Sequence, residues 1–299
     1  MIRMPALSLA AVPGRRLATI ALAQEIEKRG FSGIFGPSLG DSLALCQSLA
    51  HATHEIEFGT SIMPIYFRQL VDFASTVSYL HEVSGGRFKF GIGVSHAPAL
   101  KQRGLDGGKP LSDTREFVAQ LKEVPRAGEL PPIVLATLRQ KMIALAEEIA
   151  GGMVFANGAR SHMARSLSVL SESTRSSDFF IGDMIPTCVN DDIDAAMAVN
   201  RRTLSSYAML PNYRNYWKEA GYVEEMEGIE RAIEDKAFED IPHFLTDKWL
   251  ADTTLFGTAT QIRDGIDAWF DAGIKTPILV PSSANGGQMV AFEELFSIF

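Results

Sequence analysis

His96 has the plainest chemical potential in this 299-residue chain, because it directly follows the apolar run 88–94. An imidazole titrates near neutrality, so a histidine at the end of a central strand can give or take a proton, and His96 is the catalytic candidate. The same stretch, Gly93-Val94-Ser95-His96-Ala97, reads as a nucleophile elbow with alanine in its last place, which makes Ser95 the nucleophile of a serine-hydrolase alternative. An elbow needs a sharp strand-to-helix turn, whereas Pro98 follows three residues later and the pattern predicts no helix before Gly108. Arg160-Ser161 is a second candidate. A serine capping a helix over 162–170, beside a guanidinium, offers amides and charge to a phosphate. An ordinary helix cap next to a solvated arginine explains the same pair. His51, His54, His81 and His243 lack a third ligand or a nameable partner and read as structural or surface residues. With neither HExxH nor paired CxxC, no metal site is expected.

These residues are useful only if the elements around them bring them to one face. Short apolar runs at 7–12, 33–35, 58–63, 88–94, 133–136, 153–156, 179–185 and 278–281 alternate with amphipathic helical stretches. Gly30 stops the first helix, Asp41 caps the second, and Thr258 with Gln261 fits a capping box. Eight strands separated by helices predict an α/β fold, a (β/α)8 TIM barrel with a helical insertion between strands seven and eight. The first turn, Ala11-Val12-Pro13-Gly14, lacks the glycine fingerprint of a doubly wound nucleotide fold. A single domain over 1–299 is expected, with the insertion at about 187–259 built around Tyr207, Tyr213, Tyr216, Trp217 and Tyr222.

In such a barrel the reactive face follows the strands' C-terminal ends, and residues before the strands serve stability. Ser84-Gly85-Gly86-Arg87 and Gly151-Gly152 therefore read as tight helix-to-strand turns. The strand-end set is Ser61-Ile62-Met63-Pro64, Val94-Ser95-His96, Ala136-Thr137-Leu138-Arg139 and Asn157-Gly158-Ala159-Arg160, with Ser282-Ser283 after the last run. Poor in carboxylates and rich in hydroxyls and small residues, it suits a flat, polar-edged ring plus an anion better than acid–base hydrolysis. Gly91 and Gly93 are read as leaving room for that ring against their strand.

Composition narrows the classes further. At 46% hydrophobic and 21% charged the chain is globular, and a net charge of −8 disfavours nucleic-acid backbone binding. Two distant cysteines make neither a disulfide framework nor a zinc box, so a reduced, cytoplasmic setting is expected. No apolar run is long enough for a membrane helix. The partner class is a small molecule.

The block Phe58-Gly59-Thr60-Ser61-Ile62-Met63-Pro64, then Ser84-Gly85-Gly86-Arg87-Phe88 leading into Gly91-Ile92-Gly93-Val94-Ser95-His96, resembles the bacterial-luciferase-like superfamily. Pro132-Ile133-Val134-Leu135-Ala136-Thr137-Leu138 and Phe256-Gly257-Thr258 through Ala272-Gly273 are similar to it as well, and the nearest flavour is the coenzyme F420-dependent branch, to which Leu210-Pro211-Asn212-Tyr213 is also similar. The resemblance implies an oxidoreductase or monooxygenase barrel that binds F420, with FMN as the alternative. It implies a non-prolyl cis peptide at Ser61–Ile62. It places Ser61, Ile62, Val94 and Ser95 along the ring, and Ala136, Thr137, Leu138, Asn157, Gly158 and Arg160 toward the ring edge, ribityl chain and phosphate. Homodimers are common among its members. The chain departs from the pattern in two places: Asp41 is the only acid in 36–41, and the lysine some F420 enzymes carry near the sixth strand is absent, with Arg160 able to substitute. A barrel that binds its ligand without catalysis is the other alternative.

Overall fold

A computed structural model describes residues 3–38 and 40–299; Met1, Ile2 and Leu39, the last within the 36–41 segment, lie outside the described residues. Ten strands form one sheet: β1 (Ala6–Ser8), β2 (Gly33–Gly36), β3 (Glu57–Thr60), β4 (Met63–Pro64), β5 (Phe88–Gly93), β6 (Ile133–Ala136), β7 (Gly152–Ala156), β8 (Phe180–Val189), β9 (Leu255–Gly257) and β10 (Thr276–Ser282). Their order is β10-β1-β2-β3-β5-β6-β7-β8-β9, with β4 paired to β5 and β10 paired also to β8. The fold is the (β/α)8 barrel expected from the alternation. Every expected run contains a strand. β4 and β9 were not expected: they are two and three residues long, and β9 falls inside the span read as inserted helices. No helix among the described residues is long and apolar enough to cross a membrane.

The chain divides into two compact units, Met1–Phe155 with Val169–Gly182, and Ala156–Ser168 with Asp183–Phe299. In the first, parallel ladders run from β1 to β6, and helices such as Ser42–Ala52 and Leu70–Val83 bury their apolar faces on them. Phe73 of the latter packs on Phe90 of β5 and edge-on to Phe117, with ring centres 5.7 and 5.5 Å away. Asp41 caps Ala44 N–H as expected, and Gly30 takes φ +78° where the first helix stops.

The glycines of β3 and β5 correct one expectation. A side chain at Gly91 would collide with the Thr60 carbonyl, and one at Gly59 with the Lys89 carbonyl. Thr60 Oγ1 also donates to Gly91 O at 2.6 Å. The space beside Gly91 is therefore filled by neighbouring backbone and leaves no room for a ring. At Gly93 a Cβ would stand 2.9 Å from Ala136 Cβ and 3.0 Å from Ile62 Cδ1, so that space belongs to protein side chains too. Glycine is needed here for close strand approach.

The entrance to β3 is clamped from both sides. Arg87 donates through Nε to Ser84 O, through Nη1 to Thr53 Oγ1 and Ile56 O, and through Nη2 to Ala50 O and Thr53 O, all between 2.9 and 3.2 Å. All five guanidinium donors are thus used. Glu27 Oε1 accepts the N–H groups of His54, Glu55 and Ile56 at 2.8, 2.7 and 3.0 Å. Ser84-Gly85-Gly86-Arg87 is the turn the sequence suggested, with Gly85 and Gly86 at φ +64° and +84°.

The second unit is organised around aromatic packing. Trp217 and Trp249 meet edge to face at 4.7 Å, and Tyr213 bridges Trp217 and Tyr207 at 5.4 and 5.1 Å. Five helices, Ile193–Ala208, Pro211–Glu219, Val223–Glu234, Ile241–Phe244 and Asp247–Thr253, lie between β8 and β9. Asn200 Nδ2 fixes the first of them by donating to Thr254 Oγ1 and Leu255 O, both at 3.0 Å. The Thr258–Gln261 capping box forms.

Arg87→Lys is expected to lower unfolding free energy by about 2–4 kcal/mol in urea titration, since an ammonium cannot replace the planar fork and leaves buried carbonyls unpaired. Burial pushes the Glu27 carboxyl up, but its three backbone donors outweigh that and hold it below its ordinary value. A depressed carboxylate stabilises above its unfolded pKa and loses that contribution as pH falls through the folded one. Glu27→Gln is therefore expected to be less stable than wild type at pH 7, with the difference closing as pH drops below about 4.

Candidate functional site

In the first unit the strand ends change from buried to half-buried at the residues singled out in the sequence. Ser61 and Thr137 are buried, while Ile62, Val94, Ser95, His96, Ala136 and Leu138 are half-buried. The Ser61–Ile62 peptide is cis, as the resemblance implied. Ser61 N–H donates to Gly36 O at 2.7 Å, Ile65 N–H to Gly93 O at 2.9 Å, and Thr137 N–H to Val154 O at 2.9 Å, so the ends of β2 to β7 are tied by backbone. Ile62, Gly93 and Ala136 converge through the close approach at Gly93. Among the described residues, the hydroxyls of Ser61 and Thr137 are buried without a hydrogen-bond partner. Such a group costs about 1–3 kcal/mol. A planar ligand whose edge carries hydrogen-bonding groups would supply what these oxygens lack, so the residues present fit a flavin-type ring.

His96 occupies the N-cap position of a helix, Ala97–Lys101, that the sequence reading did not expect. Pro98 was read there as a breaker, but it sits in the first helical turn, where its missing N–H costs nothing. Burial lowers the His96 pKa, which favours a neutral imidazole at pH 7. Ser95 has φ +63° between β5 and this helix, so the strand–serine–helix order of an elbow is present. Among the described residues, however, no histidine or carboxylate hydrogen-bonds the Ser95 hydroxyl. The segment after the helix is held down: Arg103 stacks over Phe67 at 4.5 Å, Gly108 N–H donates to Tyr66 Oη at 3.3 Å, and Tyr66 donates to Asp113 at 2.6 Å.

In the second unit Asn157, Gly158 and Arg160 follow β7, with Asn157 at φ +57°. Four side chains take up the polar backbone of residues 157–161. Trp217 Nε1 donates to Asn157 O at 3.1 Å, and Asp183 Oδ1 accepts from Gly158 N–H at 3.4 Å. Tyr216 Oη accepts from Ala159 N–H at 3.0 Å. Asp252 accepts from Ser161 N–H at 2.8 Å and Ser161 Oγ at 2.6 Å, and Tyr222 donates to the same carboxylate at 2.8 Å. Ser161 is therefore not the helix cap that was expected. It lies in a 3-10 turn, Arg160–His162, ahead of the helix Met163–Leu167, and its amide is already bound by a resident carboxylate. Of the expected anion donors only Arg160 remains.

Sequence reasoning missed Asp183 and Asp252, and it assigned Tyr216, Trp217 and Tyr222 to packing alone. A signal existed for Asp183, the lone acid among apolar residues of β8. Burial pushes its carboxyl well above the usual carboxylate range, against the pull of Gly158 N–H, and among the described residues Oδ2 has no partner. Among the described residues no group of three His, Cys, Asp or Glu side chains could hold a metal ion.

A buried acid whose carboxyl is pushed up has a testable consequence. A raised carboxyl contributes its full stability below the unfolded pKa, near 3.9, and loses it as pH rises toward the folded value. Asp183→Asn keeps the acceptor for Gly158 and removes the titration. Denaturant titrations from pH 4 to 8 should show the variant gaining on wild type as pH rises, and becoming the more stable of the two at the upper end.

The comparisons with known proteins agree with this fold. The 5,10-methylenetetrahydromethanopterin reductase of Methanolobus tindarius is 26% identical over 168 residues, which is 48% of this chain and 51% of that protein, so the chain spans about half the length of that relative. A provisionally named coenzyme F420-dependent oxidoreductase of Mycobacterium tuberculosis is 21% identical over 314 aligned positions, 88% of this chain and 90% of that one. Among solved structures, the F420-dependent tetrahydromethanopterin reductase of Methanopyrus kandleri superposes with a TM-score of 0.76 at 16% identity, covering 98% of this chain and 97% of that one. The family description "luciferase-like monooxygenase" matches residues 10–276, and the chain belongs to the luciferase-like monooxygenase family.

Proposed function

We propose that this chain is an oxidoreductase that binds coenzyme F420, with FMN as the alternative, and acts on a small organic substrate. The observation that carries the reading is the pair of buried, partnerless hydroxyls, Ser61 and Thr137, beside the convergence of Ile62, Gly93 and Ala136. The names of the relatives support the cofactor class. When bound, a deazaflavin ring supplies hydride exchange at C5, whereas a reduced flavin activates dioxygen.

The protein supplies orientation and proton handling. In the first unit Ser61 and Thr137 donate to polar edge atoms, Ile62, Val94, Ala136 and Leu138 give the apolar surface, and Ser95 lines the ring. In the second, Asn157, Gly158 and Arg160 face the ribityl chain and phosphate. His96, half-buried and favoured neutral, accepts a proton from the substrate in one direction and returns it in the other.

Titrating the protein with each cofactor and following fluorescence tests the reading, and no saturable change with either one removes it. Ser61→Ala and Thr137→Val should stabilise the cofactor-free protein, because each deletes an unpaired buried hydroxyl, and yet weaken cofactor binding about tenfold. Variants that lose stability and affinity together would point to plain packing. His96→Gln should lower kcat roughly 100-fold or more, and the wild-type kcat/KM should rise with pH through a limb below the ordinary histidine value of about 6.5. Labelling of Ser95 by a serine-directed phosphonate, without cofactor binding, would favour the hydrolase alternative.

A further inference from the structure

The chain that leads from His96 to the helix Pro110–Lys122 lies on the surface, with Leu100 as its buried side chain. A segment with so few buried contacts opens locally at low free energy unless something fastens it. Leu100 N–H donates to His96 O at 3.0 Å, so His96 belongs to the first turn of the helix Ala97–Lys101 and moves with it. Gln102, Arg103, Gly104 and Leu105 return their N–H groups to carbonyls of that same helix. Among the described residues, two contacts fasten the rest of the stretch from outside: Arg103 stacks on Phe67, and Gly108 N–H donates to Tyr66 Oη at 3.3 Å. Tyr66 Oη in turn donates to Asp113 Oδ2 at 2.6 Å, a charge-assisted bond of the short, strong kind. A hydroxyl that donates to a carboxylate accepts the better for it. A side chain at Gly108 would collide with Asp113 Oδ2, so glycine permits this approach. Tyr66 is anchored on its other side too. It follows Ile65, whose N–H donates to Gly93 O at 2.9 Å, and so grows from the strand ends that carry Ile62 and Gly93.

We infer that Tyr66 is the positioning residue for His96: its hydroxyl, held by Asp113, latches the stretch 97–109 and thereby keeps the imidazole at the strand ends. The inference rests on the proton-handling reading above and deepens it. Tyr66 acts through the backbone of the stretch, which has His96 at one end and Gly108 near the other. With both ends fixed, the short helix between them has one place to lie. With the Gly108 end released, it swings about the end of β5 and takes His96 with it. Proton transfer needs its two heavy atoms within hydrogen-bond reach, so an imidazole that leaves the strand ends stops serving as acid or base. Arg103 on Phe67 secures the middle of the stretch and is an independent way to loosen the same element.

The test reads His96 directly in the full, cofactor-free chain. Diethyl pyrocarbonate acylates neutral imidazoles, and peptide mass spectrometry resolves His96 from the other histidines of the six in the chain. Tyr66→Phe deletes both bonds of the hydroxyl at almost unchanged volume. It should raise the acylation rate of His96 about tenfold and speed deuterium exchange over 98–108 by a similar factor, with the other histidines and the urea midpoint at their wild-type values. Asp113→Asn still offers an oxygen to the Tyr66 hydroxyl, so it should restrain His96 better than Tyr66→Phe does. Arg103→Ala, at an exposed side chain, should accelerate His96 in its own right and serves as the second variant if Tyr66→Phe does not fold. A wild-type acylation rate of His96 in Tyr66→Phe overturns the inference, even where the Gly108 amide exchanges faster. Equal acceleration at every histidine, which is plain loosening, overturns it too, as does an Asp113→Asn chain as fast as Tyr66→Phe. A parallel fluorescence titration of the wild-type chain with F420 and FMN keeps the two readings apart: no saturable change there removes the cofactor reading, while the histidine and exchange rates still decide the latch.

Discussion

Every backbone N–H and C=O that leaves a strand in this fold must find a partner, and which partner it finds separates the structural face from the functional one. Burying such a group unpaired costs about as much as a lost hydrogen bond, so chains rarely leave one open. Before β3 the sequence answers with two long side chains, Glu27 for three amides and Arg87 for four acceptors around residues 50–56 and for Ser84 O. After β7 it answers with aromatic and acidic side chains from elsewhere in the second unit. At Ser61 and Thr137 it leaves side-chain hydroxyls without partners among the described residues. Buried polar groups left unpaired inside well-packed surroundings are where a ligand has most to contribute.

Glycine sets the scale on which this works. At Gly59 and Gly91 the backbones of β3 and β5 approach more closely than any Cβ would permit, and Thr60 exploits the gap to hydrogen-bond Gly91. The consequence appears just beyond, where Ile62, three residues after Gly59, and Ala136 both close on Gly93, two residues after Gly91. The glycines thus act at one remove from any ligand: they fix where the strand ends lie, and the side chains at those ends do the contacting. Reading them as space for a ring confused the cause with its result.

What the sequence made legible is what local physics decides. Runs such as 88–94 and 133–136 are too apolar and too short to be anything but buried strands, and Gly30, Asp41 and the Thr258–Gln261 pair mark helix ends within three or four residues of the groups they satisfy. The strand-end candidates followed from order along the chain, since a barrel assigns each loop its face. Legibility stopped where the partner is distant. Ser161 looks like a cap until Asp252, 91 residues on, claims both its amide and its hydroxyl. Trp217 and Tyr216 look like packing until their polar atoms are followed to Asn157 and Ala159. Pro98 shows the opposite failure, a local signal with two valid meanings, breaker or first-turn residue, that only the surrounding chain could separate.

The partners chosen for the 157–161 loop also explain why that region tolerates two acids and two tyrosines in an otherwise apolar core. Burial holds the Asp183 carboxyl well above the usual carboxylate range, and Asp252 accepts from three donors. Tyr216 and Trp217 each place an apolar ring in the core and a polar tip on the loop, a use of amphipathic side chains that fixes a backbone without burying an ion. A flexible loop could meet phosphate with its own amides and rearrange around it. Here resident side chains hold the amides of Gly158, Ala159 and Ser161, so the loop is ordered before any ligand arrives and less ordering cost falls on binding. Rigidity and a satisfied backbone are here two results of one set of hydrogen bonds.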